Sequence, residues 1–176
     1  MNSGLVFKGF FVSGKPEPTI FNGKKYYKVE FSDGDHPYPD VRIGSDQTGE
    51  AQYNSLVEFD ILYDGIFRYV RGNLELVEIV PSKLLDPVPG LMIEGIRCSS
   101  IPSYVSQKDG IDYYSATFSD GVKSFSVLLG SDEQGKKLRD SLQLRKLYSG
   151  TVIYIQTQKG NFLLAQELQL KQAVKK

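Results

Sequence analysis

Tryptophan is absent from the 176 residues, and cysteine and histidine occur once each, as Cys98 and His36. A single cysteine excludes a disulfide framework within the chain, and the pair cannot supply the spaced Cys/His ligands of a zinc site. An excess of either charge is lacking too: 21 basic residues balance 21 acidic ones. No whole-molecule field therefore gathers polyanions, and any nucleic-acid site must be a local patch. No apolar stretch approaches the roughly 18 residues of a membrane span. The opening Met1-Asn2-Ser3-Gly4-Leu5-Val6-Phe7-Lys8 lacks the charged-then-apolar order of a signal peptide. The expected setting is the cytoplasm. There is no phosphate-binding Gly-Lys-Ser/Thr loop and no nucleophile elbow. His36 reads as a turn residue in Asp35-His36-Pro37, and Cys98 as a buried structural thiol. The chain is expected to be no enzyme, with no cofactor and no metal.

Glycine (17), tyrosine (11) and phenylalanine (10) are plentiful, a mixture suited to twisted strands and tight turns. Their placement repeats. Gly23-x-x-Tyr26-Tyr27-x-x-x-Phe31-Ser32-Asp33-Gly34 returns as Gly110-x-x-Tyr113-Tyr114-x-x-x-Phe118-Ser119-Asp120-Gly121. Gly9 returns as Gly95, Gly44-Ser45-Asp46 as Gly130-Ser131-Asp132, Gly49 as Gly135, and Ser55-Leu56 as Ser141-Leu142. Leu62-Tyr63-x-Gly65 returns as Leu147-Tyr148-x-Gly150. An ordered series at a nearly constant offset is the mark of a duplicated unit. The expected division is a first unit over 1–80, a stiff Pro-rich linker over 81–89 and a second unit over 90–176 ending in a short basic tail.

Each unit reads as β-β-β-α-β-β. The first strand spans Leu5 to Val12, and Gly9 marks a bulge that turns Leu5, Phe7, Phe10 and Val12 inward and Val6, Lys8 and Phe11 outward. The second copy agrees, with Leu91, Ile93, Ile96 and Cys98 inside and Met92, Glu94 and Arg97 outside. The second strand turns Tyr27, Val29 and Phe31 inward, and Asp33-Gly34 makes the turn that follows. Asp46 and Asp132 suit helix N-caps, with a second-copy helix from Gly135 to Leu147. The strand from Ile66 to Arg71 leaves its facing ambiguous.

This order, with a bulged first strand and a helix after the third, resembles the OB-fold. The expected fold class is all-β with short helices, as two tandem five-stranded OB-like barrels. The whole arrangement is similar to single-stranded DNA-binding proteins built from tandem OB-folds, as in replication proteins and some phages or mobile elements. The resemblance implies a binding face on the second and third strands of each unit. There it places Lys24, Tyr26, Lys28 and Arg42, with Lys8 and Phe11 on the first strand. In the second unit it places Arg97, Tyr113 and Lys123. An outward ring stacks on a base while ammonium and guanidinium groups neutralise phosphates.

The partner so implied is single-stranded DNA or RNA. Neutral charge, exposed rings and open strand edges suit equally a protein-interaction or assembly module, with a homo-oligomer or protein partner. Charge divides unevenly: residues 1–80 hold 8 basic and 12 acidic side chains, so the second unit is the more basic while the first has the richer aromatic face.

Overall fold

A computed structural model describes residues 4–108, 110–121, 123–157 and 160–171. The basic tail beyond Lys171 lies outside them. The backbone clusters into two compact units that part between Gly90 and Leu91. The first contains β1 (Leu5–Gly14), β2 (Thr19–Phe21), β3 (Lys24–Ser32), β4 (Pro37–Ile43), α1 (Gln47–Ser55), β5 (Leu62–Val70) and β6 (Asn73–Pro81). The second contains most of β7 (Val88–Lys108), then β8 (Ile111–Ser119), β9 (Ser124–Leu129), α2 (Glu133–Ser141), β10 (Leu147–Thr157) and β11 (Gly160–Leu170).

The expected pair of five-stranded barrels needs correction. The first unit has six strands, because Asn22-Gly23 folds Thr19–Phe21 back onto β3 as an additional edge strand. β7 begins at Val88, before the first unit ends, so its strand run does not stop at the unit boundary. The chain is all-β with two short helices, and its strands belong to hydrogen-bonded sheet in which five strands of a unit form a ring. In the first unit the ring runs β1–β5–β6–β4–β3 and back to β1. In the second it runs β7–β10–β11–β9–β8 and back to β7. A ring sheet, not a pair of five-stranded barrels, is the architecture observed.

Each ring encloses its own apolar core. Phe7, Phe10, Phe31, Tyr38 and Phe67 are fully buried in the first, with Phe7 stacked on Phe67 at 4.3 Å between centroids. Leu91, Phe118, Val127, Leu129, Val152 and Leu163 fill the second. The bulge in β1 falls where the glycine places it: register shifts between Phe7 and Phe10, and Gly9 takes φ +68°. Inward and outward sets on β1 and β7 are as the alternation implies. Asp64 accepts from the Gly9 amide at 2.9 Å, satisfying the donor that the bulge frees.

Asp46 and Asp132 cap α1 and α2, accepting from the amides of Gly49 and Gly135 at 2.8 and 2.7 Å. α2 stops at Ser141, shorter than expected, and Leu147 opens β10 instead. The stop has a repeated cause. The hydroxyl of Tyr148 accepts from the Gln143 amide at 2.8 Å, just as that of Tyr63 accepts from Val57 at 2.9 Å. Glycine at 49 and 135 answers to close approach: an added Cβ would lie 1.7 Å from the Gly44 carbonyl oxygen and 2.0 Å from that of Gly130.

Asp33 is more than a turn residue. Its side chain is fully buried. Oδ1 accepts from the amides of Asp35 and His36, and Oδ2 from Tyr38 Oη at 2.7 Å and the Gly90 amide at 2.8 Å. His36 Nδ1 lies 3.2 Å from the same oxygen. One carboxylate thus ties the β3–β4 turn to the core and to the start of β7. Burial alone would raise its pKa, but the bonds from Gly90, Tyr38, Asp35 and His36 outweigh that and hold it below the ordinary value of 3.8. The Tyr38 phenol, desolvated and bonded to that carboxylate, is pushed far up and stays protonated.

Two outcomes are expected. Asp33→Asn should lower the stability of the first unit by about 2 kcal/mol at neutral pH, measured by urea unfolding. A carboxylate whose folded pKa is depressed contributes stability above its unfolded value and loses it as pH falls through the folded one. The wild-type advantage over Asp33→Asn should therefore shrink below about pH 3.8. Separately, Gly49→Ala and Gly135→Ala should each cost about 1–3 kcal/mol, each in its own unit, because a carbonyl must move to admit the methyl group. Unchanged melting of both variants would contradict the close approach.

Candidate functional site

β3 leaves Lys24, Tyr26 and Lys28 exposed while Tyr27, Val29 and Phe31 enter the core. This is the alternation a half-buried strand imposes. Lys28 pairs with Arg42 on β4, Arg42 with Glu75 on β6, and Glu75 with Arg68 on β5. Lys28, Arg42, Glu75 and Arg68 thus form a row across four neighbouring strands, about 4.8 Å apart from strand to strand. Three are cations and one is an anion.

The extra hairpin extends this face. Thr19 lies opposite Tyr26, and Phe21 opposite Lys24. Tyr26 is 41 % exposed and Phe21 64 %. Thr19, Phe21, Tyr26, Lys28, Arg42, Arg68 and Glu75 line a groove of about 660 Å³. Two exposed rings therefore stand beside a row of cations. Glu75 accepts from Arg68 Nη2 at 2.8 Å and Nε at 3.3 Å, so Arg68 is largely neutralised. Among the described residues no carboxylate pairs with Lys28 or Arg42.

Of the expected site residues in the first unit, the groove gathers Tyr26, Lys28 and Arg42, with Lys24 at the hairpin beside it. It does not gather Lys8 and Phe11. Phe11 pairs with Ser32, six residues along β3 from Tyr26, about 20 Å at strand spacing. Its half-buried ring leans on Phe59 at 6.1 Å.

The second unit does not rebuild the row. The matching positions are Ser115, Leu128, Leu164 and Ile153. None is charged, and Leu128 and Ile153 are buried. Tyr113 is half-buried on β8, opposite Ser106. Arg97 and Lys123 lie toward the other end of β8: Arg97 pairs with Ser119, and Lys123 adjoins Ser124, the partner of Ser119. Arg97 donates to the Arg145 carbonyl at 3.0 Å, while the Lys123 amide closes a turn on Asp120 at 2.8 Å. Tyr113, Arg97 and Lys123 therefore do not converge.

Phe21, Arg68 and Glu75 escaped the sequence reading. Asn22-Gly23 between apolar and aromatic residues was a hairpin signal that would have revealed Phe21. Arg68 was hidden by the β5–β6 register shift at Ile66/Phe67, where Val77 is an extra residue and simple alternation fails. Cys98 is buried, its thiol donates to the Ser100 carbonyl at 3.3 Å, and burial pushes its pKa up. Among the described residues no three His, Cys, Asp or Glu side chains gather as a metal ion would require. None of their helices is long and apolar enough to cross a membrane.

No protein-family model matches the chain, and no curated protein does. Solved structures do. The single-stranded DNA-binding protein of Thermus aquaticus superposes with a TM-score of 0.54 at 11 % identity, covering 98 % of this chain and 95 % of its own. A deletion variant of that protein gives 0.53 at 14 % identity, covering 98 % and 97 %. At such identity the likeness is one of fold: along nearly its whole length, this chain resembles a tandem OB-fold single-stranded DNA-binding protein.

Proposed function

We propose that this protein binds single-stranded nucleic acid, without catalysis, through the groove of its first unit. The observation that carries the reading is the convergence of Tyr26 and Phe21 with Lys28 and Arg42 on one open face. Every base has a π-face, so an exposed ring accepts any of them for about 1–3 kcal/mol. Cations one strand apart then hold the phosphates between stacked bases. The groove lies on the face and loops that OB-folds use for oligonucleotides. The fold likeness to the Thermus aquaticus protein favours DNA as the natural strand.

Binding belongs chiefly to the first unit on this reading, despite its net negative charge. A local pair of cations decides phosphate contact at short range, since screening reduces more distant charge within about 10 Å at 0.1 M salt. The more basic second unit lacks the matching row, and Tyr113 there does not converge with Arg97 or Lys123.

Fluorescence anisotropy of a labelled single-stranded thirty-mer tests this, with duplex DNA as competitor. Wild type should bind saturably, more weakly as salt rises, and resist duplex competition. Tyr26→Ala should weaken binding roughly tenfold, and Tyr113→Ala should leave it within about twofold. Lys28→Gln together with Arg42→Gln should flatten the salt dependence by about 1.4 units of log–log slope. Absence of binding at tens of micromolar protein in low salt would overturn the proposal and direct attention to a protein partner.

A further inference from the structure

Glu75 is out of place in a groove that meets only phosphate. It occupies the third position of the row, between Arg42 and Arg68, where a carboxylate repels a phosphodiester. It is also held in place. Arg68 Nη2 and Nε both donate to one carboxylate oxygen, Oε2. Oε1 has no hydrogen-bond partner among the described residues and belongs to a side chain lining the groove. The result is a fixed anionic acceptor, about 10 Å across two strands from the β3 backbone that carries Tyr26.

From this geometry we infer that Glu75 reads the edge of a base, so that the groove favours bases bearing an exocyclic amine over thymine and uracil. The inference rests on the single-strand reading above and adds specificity to it. A base stacked on Tyr26 or Phe21 presents its edge toward β4 and β6. Cytosine, adenine and guanine each offer an amino group there, which a carboxylate accepts as a charge-assisted bond. Thymine and uracil offer a carbonyl oxygen in place of that amine. Their one N–H lies between two carbonyls, so a carboxylate placed against that edge meets repulsion from both sides. The Arg68 pairing fixes the carboxylate in advance, so little side-chain freedom remains to be lost on binding.

The experiment uses the full chain and two labelled oligonucleotides of equal length, oligo-dC and oligo-dT, in the same buffer. Wild type should bind oligo-dC roughly tenfold more tightly. Glu75→Gln keeps the shape but presents an amide that both donates and accepts, so the ratio should fall to about one. The substitution also frees Arg68, which strengthens phosphate contact to both oligonucleotides equally and so cancels in the ratio. Arg68→Gln, which leaves the carboxylate unanchored, should lower the ratio less than Glu75→Gln does. Equal affinity of wild type for the two oligonucleotides, or a ratio unmoved by Glu75→Gln, overturns the inference while leaving single-strand binding intact. Failure to bind either one overturns the underlying reading, and this inference with it.

Discussion

The parallel contact between β4 and β6, where Arg42 meets Glu75, completes the ring of the first unit. The other ring pairings are antiparallel neighbours that local hairpins or the long return of β1 can make. This one joins strands separated by a helix and another strand, and it brings the charges of β3 and β4 against those of β5 and β6. Without it Arg42 would stand on a sheet edge, with Lys28 one strand in. With it they face Glu75 and Arg68 across a groove. The same contact in the second ring pairs Leu128 with Leu164. Identical backbone closure there yields an uncharged row, so the fold supplies the place and the side chains supply the chemistry.

The duplication separates these two kinds of constraint. Several matches that survive in both copies answer to the backbone. Gly49 and Gly135 admit a carbonyl where a methyl group would collide, Asp46 and Asp132 cap helices, and Tyr63 and Tyr148 hold the chain after each helix. A glutamine of each helix also donates to a carbonyl of the bulged last strand, Gln52 to Val77 and Gln134 to Gln166. The core positions that differ exchange one apolar residue for another, as Phe7 and Phe10 do for Ile93 and Ile96, whereas on the outer face the chemistry itself changes. Phe11 and Phe59 correspond to Arg97 and Arg145, and Arg42 corresponds to Leu128. Burial restricts both cores to apolar residues, whereas the open face leaves each copy free to change charge.

Much of this was legible in the sequence because two copies could be read against each other. The bulge at Gly9 and Gly95 emerged from the only facing that keeps Glu94 and Arg97 together, and burial agrees with it. Tyr26 with Lys28 and Arg42 followed from period-two alternation in a regular strand. What stayed hidden involved broken periodicity or long-range closure. The extra residue Val77 shifts the β5–β6 register, so Arg68 and Glu75 could not be assigned a face. The link from Asp33 to Gly90 spans 57 residues, and no local pattern announces it. The expected equivalence of Tyr113, Arg97 and Lys123 failed because position along a strand matters as much as face. Arg97 and Lys123 lie toward the end of β8 remote from Tyr113.

On the proposed function, one open face, carried by the first ring, meets the nucleic acid. An amide NMR titration of the full chain with a single-stranded oligonucleotide tests it most directly, because it reports every backbone position at once. Shifts should concentrate on Thr19–Tyr26, Lys28, Arg42 to Ser45, Arg68 and Glu75, with Tyr113, Ser115 and Leu128 unmoved. Shifts centred on β8 and β9, or spread equally over both faces, would contradict it.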